Sequence, residues 1–157
     1  MNPFSRNLFI LGLVGLALLL ITDVSAQDKD QPNIIYLMLD EWGYFESGHM
    51  GHKLLLTPNI DQFAGEGMRF NNAMAGAPVC GPTRCTLLTG LHSGHTSMRV
   101  NNGFAPIRKE EPTLASMLKN QGYATGGFGK WGIGGRGTSG VPEKHGFDHF
   151  FGYYDQV

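Results

Sequence analysis

Two adjacent carboxylates, Asp40 and Glu41, directly follow the apolar run Asn33–Leu39. Side by side they repel each other unless a cation neutralises them, and carboxylate oxygens are the ligands that Ca²⁺ and Mg²⁺ prefer. A solvated turn is the alternative reading of such a pair. The apolar run predicts a strand buried on both faces of a parallel sheet, which favours a metal site at the end of that strand.

A cysteine stands next to a predicted helix in the segment Cys80–Arg84, which reads Cys-Gly-Pro-Thr-Arg. Proline in a first helical turn predicts a helix over Pro82–Leu88, with Cys80 in the loop before it. The free N–H groups and the dipole of a helix N-terminus favour an anion. The start of this helix therefore predicts an anion-binding site, and Lys130 stands at the end of another predicted strand. Surface charges on a helix and on a loop are the alternatives for Arg84 and Lys130.

The two cysteines of the chain, Cys80 and Cys85, allow a disulfide if the protein is exported. Five helical residues advance about 7.5 Å along the helix axis. That is beyond the roughly 7 Å that limits the Cα separation in a disulfide. An extended loop at Cys80 keeps the disulfide open as an alternative. We expect two free thiols, with Cys85 packed as a small apolar residue on the helix.

Predicted strands and helices alternate along the chain. The strands are expected at Asn33–Leu39, Met68–Ala75 and Tyr123–Gly129. One further helix is expected to begin after Thr57 as its N-cap, and another to start at Pro112-Thr113. This alternation indicates an α/β fold with a mostly parallel sheet. Ligands of such sheets gather beyond the carboxyl ends of the strands, so the acidic pair and the lysine are expected to lie close together.

The first residues, 1–26, have the composition of a secretory signal peptide. Leu8–Ile21 is apolar, and small residues precede an expected cleavage after Ala26. The apolar run is shorter than the roughly twenty residues that span a bilayer, so we expect no stable membrane anchor and a secreted or periplasmic protein. The formal net charge of −1 and the lack of a basic stripe argue against nucleic acid as a partner.

Four motifs occur in a fixed order: Asp40-Glu41, Cys80–Arg84, Gly129–Trp131 and His145–Asp148. Over residues 33–154 they resemble the type I sulfatases, the formylglycine-dependent arylsulfatase family of the alkaline phosphatase superfamily. The resemblance implies the N-terminal part of an alkaline-phosphatase-like, doubly wound, mostly parallel sheet with helices on both faces. Because that family is several hundred residues long, residues 27–157 are expected to be the N-terminal portion of a truncated sulfatase catalytic domain, which would be inactive alone.

The resemblance also implies a chemistry. A formylglycine-generating enzyme would convert Cys80 to formylglycine, whose hydrate attacks the sulfur of a sulfate ester. The substrates would be sulfated small molecules or polysaccharides, that is, sulfate esters of carbohydrate or aryl alcohols. Arg84 would steady the formylglycine and the metal-site carboxylates, and Lys130 would act in catalysis by binding a sulfate oxygen. The metal would be Ca²⁺, with Mg²⁺ as the alternative, held by Asp40, Glu41 and Cys80.

The chain departs from the family pattern at three positions. Glu41 replaces a common Asp, Thr83 replaces a common Ser, and Gly132 stands where many members have a histidine that contacts the formylglycine hydrate. A partner for that hydrate would have to come from elsewhere. Two alternatives to a sulfatase stay open: a phosphodiesterase or phosphonate hydrolase of the same superfamily, and a non-catalytic truncated remnant.

Among the histidines, His49 and His52 lie in the loop after Glu41, and a position facing the substrate is the less favoured alternative for them. His145 opens a His-Gly-Phe-Asp turn that is expected to place Phe147, Phe150 and Phe151 in the core. His92 and His95 lack a third ligand at a suitable spacing for zinc.

Overall fold

The computed structural model describes residues 31–101 and 106–156. The chain divides into two compact units, Met1–Leu39 and Asp40–Val157. In the first unit, the described residues 31–39 form neither helix nor strand. In the second unit lie the helices, the strands and the hydrophobic core described below. The predicted signal peptide, residues 1–26, lies outside the described residues.

Helix α1 spans Pro58–Glu66, follows Thr57 and has proline in its first turn, as predicted. The Thr57 hydroxyl does not cap the helix. It accepts a hydrogen bond from the Gly48 N–H at 2.8 Å and donates one to the Asp61 carboxylate at 3.0 Å. The start of α1 is therefore tied to the 3₁₀ turn at Gly48–Met50 rather than closed on itself.

Helix α2 spans Cys80–Thr89 and begins after Val79. Cys80 is therefore its first residue, not part of the loop before it, because the helical turn starts ahead of the proline. Gly90 ends the helix with a φ of 68°, in the left-handed region that favours glycine, and its N–H donates to the Thr86 carbonyl. Cys80 and Cys85 are free thiols, and Cys85 is fully buried as expected.

Helix α3 spans Leu114–Asn120 and begins within two residues of the predicted start at Pro112-Thr113. The Thr113 hydroxyl accepts a hydrogen bond from the Ser116 N–H, and the Ser116 hydroxyl accepts one from the Thr113 N–H. This reciprocal capping box satisfies two N–H groups at the helix start. The buried Thr113 hydroxyl also donates to the His145 carbonyl at 2.5 Å, which joins α3 to the His-Gly-Phe-Asp turn.

The sheet of the described residues is a parallel pair of strands, β1 (Gly126–Lys130) and β2 (His149–Tyr153). Gly126 pairs with His149 and Lys130 with Tyr153. The predicted third strand is thus present, shorter than expected, with Lys130 at its end. Strand β2 was not predicted. Helices together with a parallel pair of strands agree with the predicted α/β class.

The turn before β2 requires glycine. Gly146 has a φ of 94°, and a Cβ there would lie 2.3 Å from the Ser116 nitrogen. Next to it, the Asp148 carboxylate accepts hydrogen bonds from the N–H and the hydroxyl of Thr125 and pairs with Lys119 at 2.6 Å. The hydrogen bond from Lys119 and those from Thr125 lower the pKa of Asp148 to about 2. The turn therefore fixes where β2 begins beside β1.

The hydrophobic core lies around Trp131, directly after β1. Its fully or nearly fully buried members are Cys85, Met98, Ile107, Trp131 and Ile133. Phe147 and Phe150 pack edge-on against Trp131, with ring centroids 5.6 Å and 6.0 Å away. The prediction for Phe151 was wrong, because this side chain is 80% exposed. Adjacent residues of a strand point to opposite faces, so Phe150 and Phe151 cannot share the core.

Two predicted strands are not found. Asn33–Leu39 and Met68–Ala75 form no strand, and Ile35 and Met74 are each 92% exposed. A strand exists only through backbone hydrogen bonds to a neighbouring strand. No strand among the described residues forms such a ladder with either segment. Both segments are rich in apolar residues, but an apolar composition does not by itself provide a neighbouring strand. Phe63 of α1 is likewise 78% exposed, whereas Ile60 and Ala64 of the same helix are half-buried.

Among the described residues, none of the helices combines the length and the apolar character needed to cross a bilayer.

Candidate functional site

Five residues singled out in the sequence lie together in the second unit. They are Asp40, Glu41, Cys80, Arg84 and Lys130. The acidic pair lies in a bend, the cysteine and the arginine belong to the first turns of α2, and the lysine ends β1. The cluster therefore joins three segments that are far apart along the chain.

Asp40 is the centre of the charged contacts. Its Oδ1 accepts a hydrogen bond from Arg84 Nη2 at 3.2 Å, and its Oδ2 accepts one from Lys130 Nζ at 3.0 Å. Arg84 is buried and also donates from Nη1 to the Lys130 carbonyl at 2.5 Å. One guanidinium thus fixes both the carboxylate and the end of β1, which sets the lysine beside the aspartate.

These contacts shift the pKa values of both partners. The hydrogen bond from Lys130, followed by the hydrogen bond and charge of Arg84, lowers the pKa of Asp40 despite partial desolvation. For Lys130, desolvation acts to lower the pKa, but the hydrogen bond and charge of Asp40, together with Cys80, outweigh it and raise the pKa. Both groups are therefore held in their charged forms at neutral pH.

Glu41 and Cys80 complete a set of candidate metal ligands. One carboxylate oxygen each of Asp40 and Glu41 and the Cys80 sulfur all lie within 4.8 Å of one another. The thiol donates to Glu41 Oε1 at 3.7 Å. Glu41 has a φ of 57°, the left-handed region that non-glycine residues rarely adopt, and such strain concentrates at ligand sites.

The donor set fits a hard divalent cation. Carboxylate oxygens dominate it, and a carboxylate offers about four lone-pair positions, so hydrogen bonds to Arg84 and Lys130 leave Asp40 able to accept more. The cysteine sulfur is a soft donor and suits such an ion less well. An oxygen at position 80 would match the set better than the thiol does.

The start of α2 has fewer free N–H groups to donate to an anion than the sequence suggested. The Gly81 N–H already donates to Asn101 Oδ1 at 2.7 Å, and Pro82 has no N–H to give. Positive charge near Cys80 therefore comes mainly from Lys130 and Arg84. Arg84 Nε is buried and has no hydrogen-bond partner among the described residues, so the guanidinium retains one donor.

Thr83, which replaces the common Ser of the motif, points its hydroxyl away from this chemistry. Its Oγ1 donates to the Ala77 carbonyl at 2.5 Å, which holds the loop that leads into α2. A serine could make the same bond, so the replacement leaves the local geometry intact.

The histidines of the loop after Glu41, which could have faced the site, have other partners. His49 pairs with Asp61 at 3.1 Å, and His52 Nδ1 accepts hydrogen bonds from the N–H groups of Leu54 and Leu55. His145 is buried with Nε2 3.1 Å from the Ser139 carbonyl. The structural role expected for His145 agrees with its burial, and the contacts of His49 and His52 do not support a position facing the substrate.

Two residues near the site were missed in the sequence, Asn101 and Gln156. Asn101 accepts from Gly81, and Gln156 Nε2 donates to the Gly132 carbonyl at 2.5 Å. Neither belongs to a motif, and the only available signal was the missing side chain at Gly132. Their contacts could be found only from the folded chain.

Known proteins resemble this arrangement in sequence and in structure. The family model described as Sulfatase matches residues 32–156. Human arylsulfatase D is 39% identical over 155 residues, which cover 89% of this chain and 26% of that protein. An ulvan-active sulfatase of Formosa agariphila is 37% identical over 131 residues, 81% of this chain and 25% of that protein.

A solved structure of a protein in complex with its substrate, D-glucosamine-2-N,6-O-disulfate, matches with a TM-score of 0.65 and 32% identity. The match covers 77% of this chain and 23% of that one. The chain thus spans about a quarter of the length of the relatives that it matches.

Proposed function

The chain belongs to the sulfatase family, and on this basis we propose that the protein containing it hydrolyses sulfate esters. The observation that carries the proposal is the contact network in which Asp40 holds Lys130 and Arg84 next to Cys80 and Glu41. A nucleophile position, two cations for an anionic ester and an acidic pair for a metal lie in one cluster. That combination matches the needs of a reaction that transfers a sulfuryl group to an oxygen nucleophile.

We assign the nucleophile to position 80. Cys80, partly exposed at the start of α2, is proposed to be oxidised to formylglycine by a formylglycine-generating enzyme. In the hydrate of that aldehyde, one hydroxyl forms a bond to sulfur while the alcohol leaves with a proton. Loss of the proton from the other hydroxyl then expels sulfate and restores the aldehyde. A serine at this position could not release its sulfate in this way.

The cations and carboxylates would divide the remaining work. Lys130, held charged by Asp40, would bind an oxygen of the sulfate group. Arg84, which contacts Asp40 and the Lys130 carbonyl, would keep the carboxylate and the lysine in place. Asp40 and Glu41, with the oxygen at position 80, would hold a Ca²⁺ or Mg²⁺ ion, which when bound polarises the sulfate.

The proposed substrates are sulfated carbohydrates. Support comes from the relative that is active on ulvan and from the structure in complex with a glucosamine disulfate. We also propose that the protein is exported, on the apolar composition of Leu8–Ile21 and the small residues before Gln27.

The test is to express the protein containing this chain with a formylglycine-generating enzyme and Ca²⁺. Peptide mass spectrometry should show that residue 80 has lost sulfur and gained oxygen, with Cys85 unchanged. Sulfate release from glucosamine 6-sulfate and hydrolysis of 4-nitrophenyl sulfate are then measured beside the phosphodiester bis(4-nitrophenyl) phosphate. Preference for the phosphate ester would overturn the sulfatase in favour of a phosphate-ester hydrolase, and no turnover of any ester would favour a non-catalytic protein.

A further inference from the structure

Gly132 is the second residue after β1, and the side chain of Gln156 lies where a side chain at position 132 would project. Its φ of 72° lies in the left-handed region, and a Cβ there would meet Gln156 Nε2 at 2.9 Å and Oε1 at 3.2 Å. Gln156 Nε2 donates to the Gly132 carbonyl at 2.5 Å. The amide of Gln156 therefore occupies the space that a side chain at position 132 would need.

The same amide reaches the helix that carries Cys80. A Cβ on Gly81 would lie 3.1 Å from Gln156 Nε2 and 2.8 Å from Asn101 Oδ1. Gly81 and Gly132 are both buried. Gln156 thus packs against the first turn of α2 and against the residue that follows β1 by two positions. These are the elements that position the cysteine and the lysine of the proposed active site.

The carbonyl oxygen of the Gln156 amide is shielded from solvent. Gln156 Oε1 is buried and has no hydrogen-bond partner among the described residues. Buried polar atoms without partners are rare, because their lost hydration destabilises the fold. The Gln156 amide is therefore enclosed by the protein rather than hydrated at its oxygen.

We propose that Gln156 is a positioning residue that replaces the side chain absent at Gly132. Its N–H donates to the Gly132 carbonyl and its amide packs on Gly81, which keeps Lys130 and residue 80 at the separation that the reaction needs. This inference rests on the proposed sulfate-ester hydrolysis. The side chain acts through its neighbours and takes no part in proton transfer, because an amide does not titrate near neutral pH.

The first experiment compares Gln156→Met with Gln156→Glu in the formylglycine-loaded protein containing this chain, assayed with 4-nitrophenyl sulfate. Methionine keeps the volume but cannot donate, and ionised glutamate sets a carboxylate oxygen against the Gly132 carbonyl. Each should lower kcat about tenfold at pH 8, the effect of one lost hydrogen bond, with KM within about threefold. An unchanged kcat in Gln156→Met would overturn the inference.

The pH dependence separates positioning from a general structural role. A protonated glutamic acid has an O–H that can donate to the Gly132 carbonyl, and burial raises the pKa of an introduced carboxyl. The ratio of Gln156→Glu to wild-type kcat should therefore rise several-fold as pH falls from 8 to 5. The ratio for Gln156→Met should stay flat. Parallel profiles for the two variants would contradict the bridge.

Gln62 supplies the matched control. It is an exposed glutamine of α1 whose amide donates to the Glu66 carboxylate at 2.8 Å, far from the bridge in sequence. Gln62→Met and Gln62→Glu make the same chemical changes and should leave kcat and its pH profile unchanged. If they reproduce the Gln156 profiles, the effect belongs to the assay and the inference falls.

A second experiment tests the bridge without any turnover. Gly132→Ala places a Cβ against the Gln156 amide, whereas Gly137→Ala meets nothing within 4 Å at a similar φ of 82°. Gly132→Ala should lower Tm more than Gly137→Ala, and the excess should vanish when each is combined with Gln156→Ala. Additive Tm shifts for Gly132 and Gln156 would overturn the bridge.

Together, the kcat measurements and the Tm measurements distinguish failure of the Gln156 inference from failure of the proposed sulfatase function. A wild-type protein that carries formylglycine but hydrolyses no sulfate ester refutes the sulfatase and, with it, the positioning role. The Tm cycle then still decides whether the bridge exists. Normal wild-type turnover with unaltered kcat in Gln156→Met refutes the inference alone.

Discussion

The core around Trp131 and the charged cluster around Asp40 both include residues of α2 and of the chain at the end of β1. The core is formed by apolar contacts, and the cluster by contacts between charged groups. Lys130 and Trp131 are neighbours in the chain, but one pairs with a carboxylate and the other is buried with Phe147 and Phe150. Along α2, Cys80 lies beside Glu41 whereas Cys85 is fully buried.

The difference lies in what each region contributes. Burial of apolar area stabilises the fold and is insensitive to charge, so the core should determine the free energy of unfolding. The ion pairs of Asp40, whose side chain is 36% exposed, add little to stability, about 0–1 kcal/mol each, but they fix protonation states and positions. Variants of the cluster should therefore change activity, and variants of the core should change folding.

The sharpest form of this comparison uses the two cysteines. Cys80→Ser should lower kcat by at least about 10³-fold, since serine cannot form the aldehyde hydrate, while leaving the free energy of unfolding nearly unchanged. Cys85→Ser should do the reverse, because it buries a hydroxyl in an apolar site. Turnover and urea unfolding of both variants are measured in the protein containing this chain. Near-normal turnover in Cys80→Ser would contradict the assigned nucleophile.

Removing the central side chain of the core should have the next largest effect. Trp131 is 4% exposed, and its Nε1 donates to the Gly140 carbonyl at 2.6 Å. Trp131→Ala should lower the free energy of unfolding by about 3–5 kcal/mol, through lost burial and the cavity left behind. The matched control is Trp42→Ala, because Trp42 is 40% exposed. Equal losses in both variants by urea denaturation would show that the core is not centred on Trp131.

A change at the centre of the charged cluster should reduce activity strongly and stability weakly. Asp40→Asn removes the negative charge that pairs with Lys130 and Arg84. It also removes a carboxylate that is proposed to bind the metal. Activity should fall on the order of 100-fold, and Ca²⁺ affinity measured by titration calorimetry should weaken. Glu41→Gln should be milder.

Asp61→Asn serves as the control for Asp40→Asn, since the Asp61 carboxylate also contacts a basic side chain, with His49 Nδ1 at 3.1 Å. It should leave both activity and Ca²⁺ affinity unchanged. Unaltered Ca²⁺ affinity in Asp40→Asn would remove that residue from the metal site.

The smallest predicted effect is a pH dependence that arises beside the core. Burial lowers the pKa of His145 from its usual 6.5, although the Ser139 carbonyl acts in the opposite direction. The unfolded chain therefore binds a proton first as pH falls. The stability that neutral His145 contributes is full above pH 6.5 and is lost as pH drops toward the lowered value.

Urea unfolding between pH 7.5 and 5 should show this loss as a free energy of unfolding that falls with pH. His145→Gln should flatten that part of the profile, and His149→Gln, at an exposed position of β2, should leave it intact. The same slope in wild type and His145→Gln would assign the pH dependence to another group.

Local signals in the sequence determined several features of this protein. Proline after Thr57 and the pair Pro112-Thr113 predicted where α1 and α3 begin, because such signals act over a single turn. The motif around Cys80 and the lysine at the end of a strand predicted which residues would meet. The helix at Cys80 began early, and an error of this size is usual at helix ends.

Only the tertiary structure decided which atoms of these residues form hydrogen bonds with one another. Asp40 contacts Arg84 and Lys130 across separations of 44 and 90 residues, and no local pattern encodes such pairs. The filling of the space at Gly132 by Gln156 could not be read from either residue alone. The apolar segments expected as strands stayed unpaired among the described residues, since hydrophobic pattern specifies which residues avoid water, while strand pairing depends on the neighbour that folding brings alongside.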